Sequence, residues 1–230
     1  MIGKSRSDGR KERSEKVLAK HKVMINPNLP RIENEDEAKI KSPEEIVKRA
    51  VTAFITVQIA IDICNDNGAL ESVEFFTPIM ERFGLMNELT ADEKIYFDKD
   101  KCEGISQDDA YQFQWRLEMC VPLFWACGFR KTLDYPDEMT DTTKQINLIG
   151  GCENFGELMK NVKMRSPSEI LDAADLLFRM DWACVEARIK NDPGIMGDLF
   201  SDVVVEQHKG VNWLIGAYDA ENWDTVAPHT

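Results

Sequence analysis

The sequence predicts an all-α protein, a single compact domain of about six to eight helices with an extended basic arm at its N-terminus. Helix-start signals recur along the chain, apolar residues keep helical spacing over long segments, and no segment alternates as a half-buried strand does. The 230 residues, with 43% apolar side chains, can bury a sizeable core, which excludes a wholly disordered chain. We place the arm and its connector at residues 1–41 and the helical domain at residues 42–230.

The N-terminal arm is basic, whereas the rest of the chain is acidic. Residues 1–22 carry eight basic and three acidic side chains, or about +5, and the whole chain carries −13, so the remainder is about −18. Such an arm could contact RNA, an acidic partner or its own acidic body; we favour a solvated, partly frayed arm. Asn26-Pro27 and Leu29-Pro30 disfavour helix and predict an extended connector over residues 23–42.

The helices of the first half begin at recognisable caps. Ser42-Pro43-Glu44-Glu45 combines an N-cap serine, a proline at the first helical position and a capping-box glutamate, and a wide apolar face follows for twenty residues. A second helix is predicted over residues 69–83, and Thr90 begins a short third one. A longer helix over residues 106–127 ends in nine apolar residues, so it should cross the centre of the domain.

The second half repeats these signals after a weaker stretch. Gly150-Gly151 predicts a loop, and a short helix is expected over residues 154–162. A second capping-box start, Ser166-Pro167-Ser168-Glu169, predicts a long, nearly all-round apolar helix over residues 166–190. A last helix is predicted over residues 197–216, after which the C-terminal tail should fold back through Trp223.

Charged side chains lie within two helices that otherwise look buried. Because an isolated buried charge is too costly, these groups must pair or line a wet cleft. The simplest pairing would join the two helices through Arg116–Asp175 and Glu118–Arg179. One interpretation is a polar pocket for acid–base chemistry or cation binding; the other, which we favour, is a satisfied network that fixes the helix register. The candidate residues are Arg116, Glu118, Asp172, Asp175, Arg179, Asp181 and the adjoining Trp182.

Motifs for metal and covalent chemistry are missing from the sequence. It has three histidines but no HExxH and no Glu-x-x-His pair, six cysteines but no CxxC, and no GxSxG nucleophile elbow. We therefore predict no metal and no cofactor, and reduced thiols in a cytoplasm. No apolar run of about 18 residues would span a bilayer, and the acidic body disfavours nucleic acid.

Several separated motifs occur in an order that a known family shares. They are Arg13-Ser14-Glu15, Asn26-Pro27-Asn28-Leu29-Pro30, Ser42-Pro43-Glu44-Glu45-Ile46, Trp115-Arg116-Leu117-Glu118, Trp125-Ala126-Cys127-Gly128, the segment 170–179, Asn212-Trp213-Leu214 and Trp223-Asp224. From about Arg10 onward the chain resembles the bacterial family catalogued as domain of unknown function 4272. It departs from that family at Asp181, where a histidine is usual, and at His229, where an acidic residue is usual. The resemblance implies a soluble helical protein and no particular activity.

Two functional hypotheses remain open. The first is a cytoplasmic, non-catalytic interaction protein that binds a basic protein partner, as an immunity protein that neutralises a toxin does, since acidity accelerates association with basic proteins. The alternative is a small-molecule enzyme or sensor whose pocket contains the candidate charged residues. A salt-sensitive affinity would favour the first, and loss of activity with an intact fold in Glu118→Gln would favour the second.

Overall fold

A computed structural model describes residues 6–230, with side chains from Gly9 onward, and every regular element in this range is helical. The all-α prediction is therefore confirmed. None of the helices in the described range is long and apolar enough to cross a membrane. The α-helices are α1 (Arg6–Lys20), α2 (Pro43–Cys64), α3 (Ala69–Phe83), α4 (Ala91–Phe97), α5 (Gln107–Gln114), α6 (Arg116–Ala126), α7 (Thr143–Gly151), α8 (Phe155–Lys160), α9 (Pro167–Lys190) and α10 (Ser201–Ile215).

The described residues contain more helices than the six to eight predicted, in part because the predicted helix 106–127 is divided into α5 and α6 at Trp115. There the Glu118 amide donates to the Trp115 carbonyl, only three residues earlier. One turn later Pro122 lies inside α6, where it offers no N–H to the Glu118 carbonyl and its ring crowds that oxygen.

Residues 143–151 form a helix that the sequence pattern does not predict. Gly150 and Gly151, expected in a loop, are the last two residues of α7, and the Cys152 amide donates to the Ile149 carbonyl at its end. Glycine is tolerated there because the last turn of a helix carries few backbone bonds of its own. The short helix expected next is confirmed as α8, which Asn154 caps.

The chain divides by its contacts into two compact units. The terminal unit comprises residues 1–41, 132–140 and 165–230, and so contains α1, α9 and α10. The inserted unit comprises residues 42–131 and 141–164, and contains α2 to α8.

In the terminal unit, α9 is the central helix and packs against α1 and α10. It begins with the predicted capping box, in which Ser166 accepts from the Glu169 amide and Glu169 accepts from the Ser166 amide. It ends at Asn191 in the left-handed conformation. Between these two ends, one face of α9 packs against α1 and another face packs against α10.

The basic arm keeps Lys16 and Lys20 exposed, but the expectation of a solvated, partly frayed arm is wrong for the buried face of residues 6–20. They form α1, whose Arg10, Ser14 and Leu18 side chains are only 1%, 3% and 1% exposed. These residues are four apart, so they form one stripe on the helix. Residues 1–5 of the predicted arm, including Lys4, lie outside the described residues. The described arm is therefore part of the core of the terminal unit.

The connector and the C-terminal tail both behave as predicted. Residues 23–41 form no helix, and the connector bonds to the end of α10 through the amides of Lys39 and Lys41, which donate to the carbonyls of Ile215 and Leu214. The tail folds back so that the ring of Trp223 meets Trp213 edge to face, with 5.4 Å between centroids. Trp223 is 3% exposed, so both ends of the chain contribute to this unit's core.

In the inserted unit, α2 is the central helix and packs against α3, α4, α5 and α6. Its predicted capping box is present, with Ser42 and Glu45 exchanging bonds with each other's amides. Fourteen of its 22 residues are buried, among them the polar Arg49, Thr52 and Thr56. The unit's core therefore contains a polar strip that needs partners.

Candidate functional site

The predicted site residues fall in both units, and their pairing differs from the prediction. Arg116 donates to Asp92 over 2.6 Å, and Arg179 pairs with Asp175 on its own helix. The predicted pairs Arg116–Asp175 and Glu118–Arg179 are therefore wrong. The physical reason is that residues four apart on one helix already lie within reach of each other, which satisfies Asp175 and Arg179 locally.

The Arg179–Asp175 pair is a buried, two-pronged salt bridge. Arg179 Nε and Nη2 donate to the two Asp175 oxygens, each over 2.9 Å, and Nη2 also donates to the Pro30 carbonyl of the connector at 3.2 Å. The two side chains are 1% and 2% exposed. Because Arg179 Nη2 also donates to the Pro30 carbonyl, the pair links α9 to the connector.

Asp172, one turn earlier on α9, accepts hydrogen bonds from two arginines of the arm. Arg10 Nε donates to Asp172 Oδ1 over 3.1 Å, and Arg13 Nη2 donates to the same oxygen over 2.6 Å. Arg10 also donates to the Glu35 carboxylate over 2.8 Å and to the Glu33 carbonyl over 3.2 Å. The sequence pattern places Asp172 in the charged group but does not identify Arg10 as its partner.

Asp181 pairs with a histidine of α10. Its Oδ2 lies 2.8 Å from His208 Nδ1, and the side chains are 1% and 2% exposed. Asp181 Oδ1 is buried and accepts from no group in the described residues. The neighbouring Trp182 is half-buried. The local motifs sought around the histidines do not reveal this contact, because it joins two helices.

Glu118 belongs to a second buried charge group, in the inserted unit. It is 1% exposed, and its charge acts on the Cys120 thiol together with those of Arg49 and Glu93. Arg49 of α2 forms a salt bridge with Glu93 of α4 and donates to the Thr52 hydroxyl. This group joins α2, α4 and α6 within one core.

Arg116 lies in the wall of a cavity of about 610 Å³ in the inserted unit, which we call the α4–α5 cavity. Its guanidinium carbon lies 4.5 Å from the centre of the Phe113 ring, whose centre lies 4.2 Å from that of Tyr96. The volume is within the range of ligand-binding clefts. The lining residues are Asp92, Ile95, Tyr96, Asp100, Lys101, Gly104, Ile105, Asp109, Gln112, Phe113 and Arg116.

The charges around the α4–α5 cavity are unequally compensated. Lys101 donates to Asp98 over 2.7 Å, and this hydrogen bond holds the pKa of Asp98 below its ordinary value. Asp109 accepts from the Ser106 hydroxyl over 2.6 Å. Neither Asp100 nor Asp109 forms a salt bridge with any described residue, and both are exposed. Two lining carboxylates are therefore exposed and without a salt-bridge partner among the described residues.

The buried thiols are poor nucleophiles. Burial raises the pKa of Cys127 and that of Cys184 to about 12, and it raises the pKa of Cys120 further still. They therefore remain protonated near pH 7. In the part of the chain that the structure describes, no group of three or more histidine, cysteine, aspartate or glutamate residues is placed to hold a metal ion.

Comparison with known proteins identifies one family. The model of a family described as "Domain of unknown function (DUF4272)" matches residues 10–226. No curated protein and no solved structure matches the chain.

Proposed function

The chain belongs to the family described as Domain of unknown function (DUF4272), and we propose that it is a non-catalytic interaction protein that binds a basic protein partner. The observation that carries this proposal is the exposed acidic surface of residues 88–109. Glu88, Asp92 and Glu93 pair with Lys48, Arg116 and Arg49. The four carboxylates that are exposed and form no salt bridge with a described residue are those of Asp100, Glu103, Asp108 and Asp109. This stretch forms much of the wall of the α4–α5 cavity. A concentrated negative field of this kind attracts basic proteins and accelerates their association.

The buried charges support the same proposal, because they pair with each other inside the protein. Asp175 and Arg179 neutralise each other, Asp181 meets His208, and Arg49 neutralises Glu93. Charged groups paired in this way are not available to a substrate, whereas the buried Asp181 Oδ1 still accepts from no group in the described residues. The exposed carboxylates are the charges that remain for a partner.

An immunity-like role is one form of this proposal. A protein that neutralises a basic toxin benefits from rapid, electrostatically steered association, which a net charge of −13 favours. The proposal also includes a cytoplasmic location, because the six cysteines are free thiols and five of them are buried.

The alternative, a small-molecule enzyme or sensor, is favoured by one observation. The α4–α5 cavity contains Arg116, a predicted site residue, and its volume suits a small ligand. Under this alternative Glu118→Gln should abolish turnover or ligand response while the fold persists, because Glu118 lies in the neighbouring buried charge group.

The two candidates separate in a binding experiment. Tagged protein is incubated at low salt with extract from its native host, the captured protein is identified, and the pair is then reconstituted from purified components. We expect a basic partner at a fixed ratio, with an affinity that falls steeply between 50 and 500 mM salt, since exposed charges are screened over about 10 Å at 0.1 M. An affinity that does not change with salt, or a partner without basic surface, would contradict the proposal.

A further inference from the structure

We infer that the α4–α5 cavity receives an arginine side chain of the basic partner. This inference rests on the proposed function and assigns a position to the contact. Three features of the cavity support it: the apolar walls, the uncompensated carboxylates and the guanidinium that is already stacked inside.

The walls suit the stem of a long basic side chain. Ile95 is 44% exposed at the cavity, and Ile105 lines another part of it. The Tyr96 and Phe113 rings are buried side by side. An arginine or lysine side chain covers such apolar surface with its methylene groups while its charged end stays at the polar rim.

The rim provides the opposite charge. Asp92 is neutralised by Arg116, and Lys101 by Asp98, which lies outside the lining. Asp100 and Asp109 are the lining carboxylates for which no salt bridge forms among the described residues. The cavity therefore has a negative charge that an incoming cation would compensate.

The position of Arg116 shows which cation fits. Its guanidinium stacks on Phe113 at 4.5 Å while it donates to Asp92 at 2.6 Å, so these walls already hold a planar cation between a ring and a carboxylate. A guanidinium combines stacking with two directed hydrogen bonds, which an ammonium cannot do. Because Arg116 already occupies Phe113 and Asp92, the incoming group is assigned to Asp100 and Asp109, to which the planar fork of an arginine can donate directed hydrogen bonds.

The test measures the binding of a fluorescent nine-residue peptide, in which one central arginine is flanked by lysines, by anisotropy at 50 mM salt. A second peptide has citrulline, the neutral isostere, in place of arginine. The cavity variant is Asp100→Asn/Asp109→Asn. The control variant is Glu103→Gln/Asp108→Asn, which removes two exposed charges from the same segment without altering the lining.

We expect the cavity variant to bind the arginine peptide about tenfold more weakly than the parent protein, and the control variant less than threefold more weakly. Citrulline should weaken binding to the parent by a similar factor and should have little further effect on the cavity variant. Asp109 also accepts a hydrogen bond from Ser106, the N-cap of α5, so its replacement could destabilise the fold. If the double variant does not fold, the single variant Asp100→Asn replaces it in the test.

The outcomes separate the two proposals. If both variants lose affinity equally, or if citrulline and arginine bind alike, the cavity site is excluded while binding by diffuse charge stands. If neither peptide binds the parent at low salt, the cavity site is excluded and the proposed affinity for basic partners is contradicted as well.

Discussion

Replacing Arg179 with methionine should destabilise the protein by about 3–5 kcal/mol, the usual cost of removing one partner from a buried ion pair. The structure accounts for a value in this range. Arg179 and Asp175 are 1% and 2% exposed, so the variant leaves a carboxylate in the core without either of its two donors. The Pro30 carbonyl loses its donor as well.

The assay is urea unfolding followed by tryptophan fluorescence. The double variant Arg179→Met/Asp175→Leu should recover most of the loss, because two apolar side chains of similar volume need no partner. Arg188→Met is the matched control: Arg188 is exposed near the end of the same helix, and its loss should change the unfolding free energy by less than about 0.5 kcal/mol.

One result would refute this reasoning. If Arg179→Met costs less than about 1 kcal/mol, or if the double variant is as unstable as the single one, the pair does not act as a buried neutralised unit. A stable Arg179→Met variant that had lost a cellular activity would instead favour a functional site on α9.

Three further predictions concern the arm, the thiols and the α9 cap. Arg10→Ala should lower the unfolding free energy by about 2 kcal/mol in urea titrations, because its bonds to two carboxylates are lost from a buried position, whereas alanine at the exposed Lys16 should change it by less than about 0.5 kcal/mol. An aromatic disulfide reagent should modify the half-buried Cys64 readily and Cys184 only at the rate of unfolding; equal rates would contradict the burial that raises the pKa of Cys184 to about 12. The hydroxyl of the α9 N-cap holds the pKa of Glu169 below its ordinary value of 4.5, so its stabilisation is present above that pH and is lost as the pH falls through the lower, folded-state value. Glu169→Gln should therefore make unfolding less pH-dependent between about pH 5 and pH 3 in parallel urea titrations, and an unchanged slope would exclude this contribution.

The long helices could be predicted because their start signals are local. The caps at Ser42 and Ser166 work through hydrogen bonds to residues three positions later, so the sequence alone contains the whole motif. Helix α7 lacks a cap bond to the side chain of its N-cap residue and ends in two glycines. Its start is marked locally only by Asp141, two residues ahead, whose Oδ1 accepts from the amide and the hydroxyl of Thr143, and the glycine pair at its end obscures this signal.

The charged partners could be predicted only in part. Asp175 and Arg179 share a helix face, which sequence spacing reveals, but the distance between α9 and another helix is a tertiary property. Arg10 could have been found: its stripe with Ser14 and Leu18 has helical spacing, a signal that the high charge of the arm obscures. The contact of Asp181 with His208 joins residues 27 positions apart and has no local signal.

The division of the chain has a consequence for biosynthesis. The inserted unit is encoded almost continuously between residues 42 and 164, so all of its helices are synthesised before α9. Arg10 must wait for Asp172, which is synthesised 162 residues later. Until residue 172 has been synthesised, α1 of the nascent chain therefore lacks the α9 carboxylate that Arg10 and Arg13 share, although Glu35 is already present to pair with Arg10.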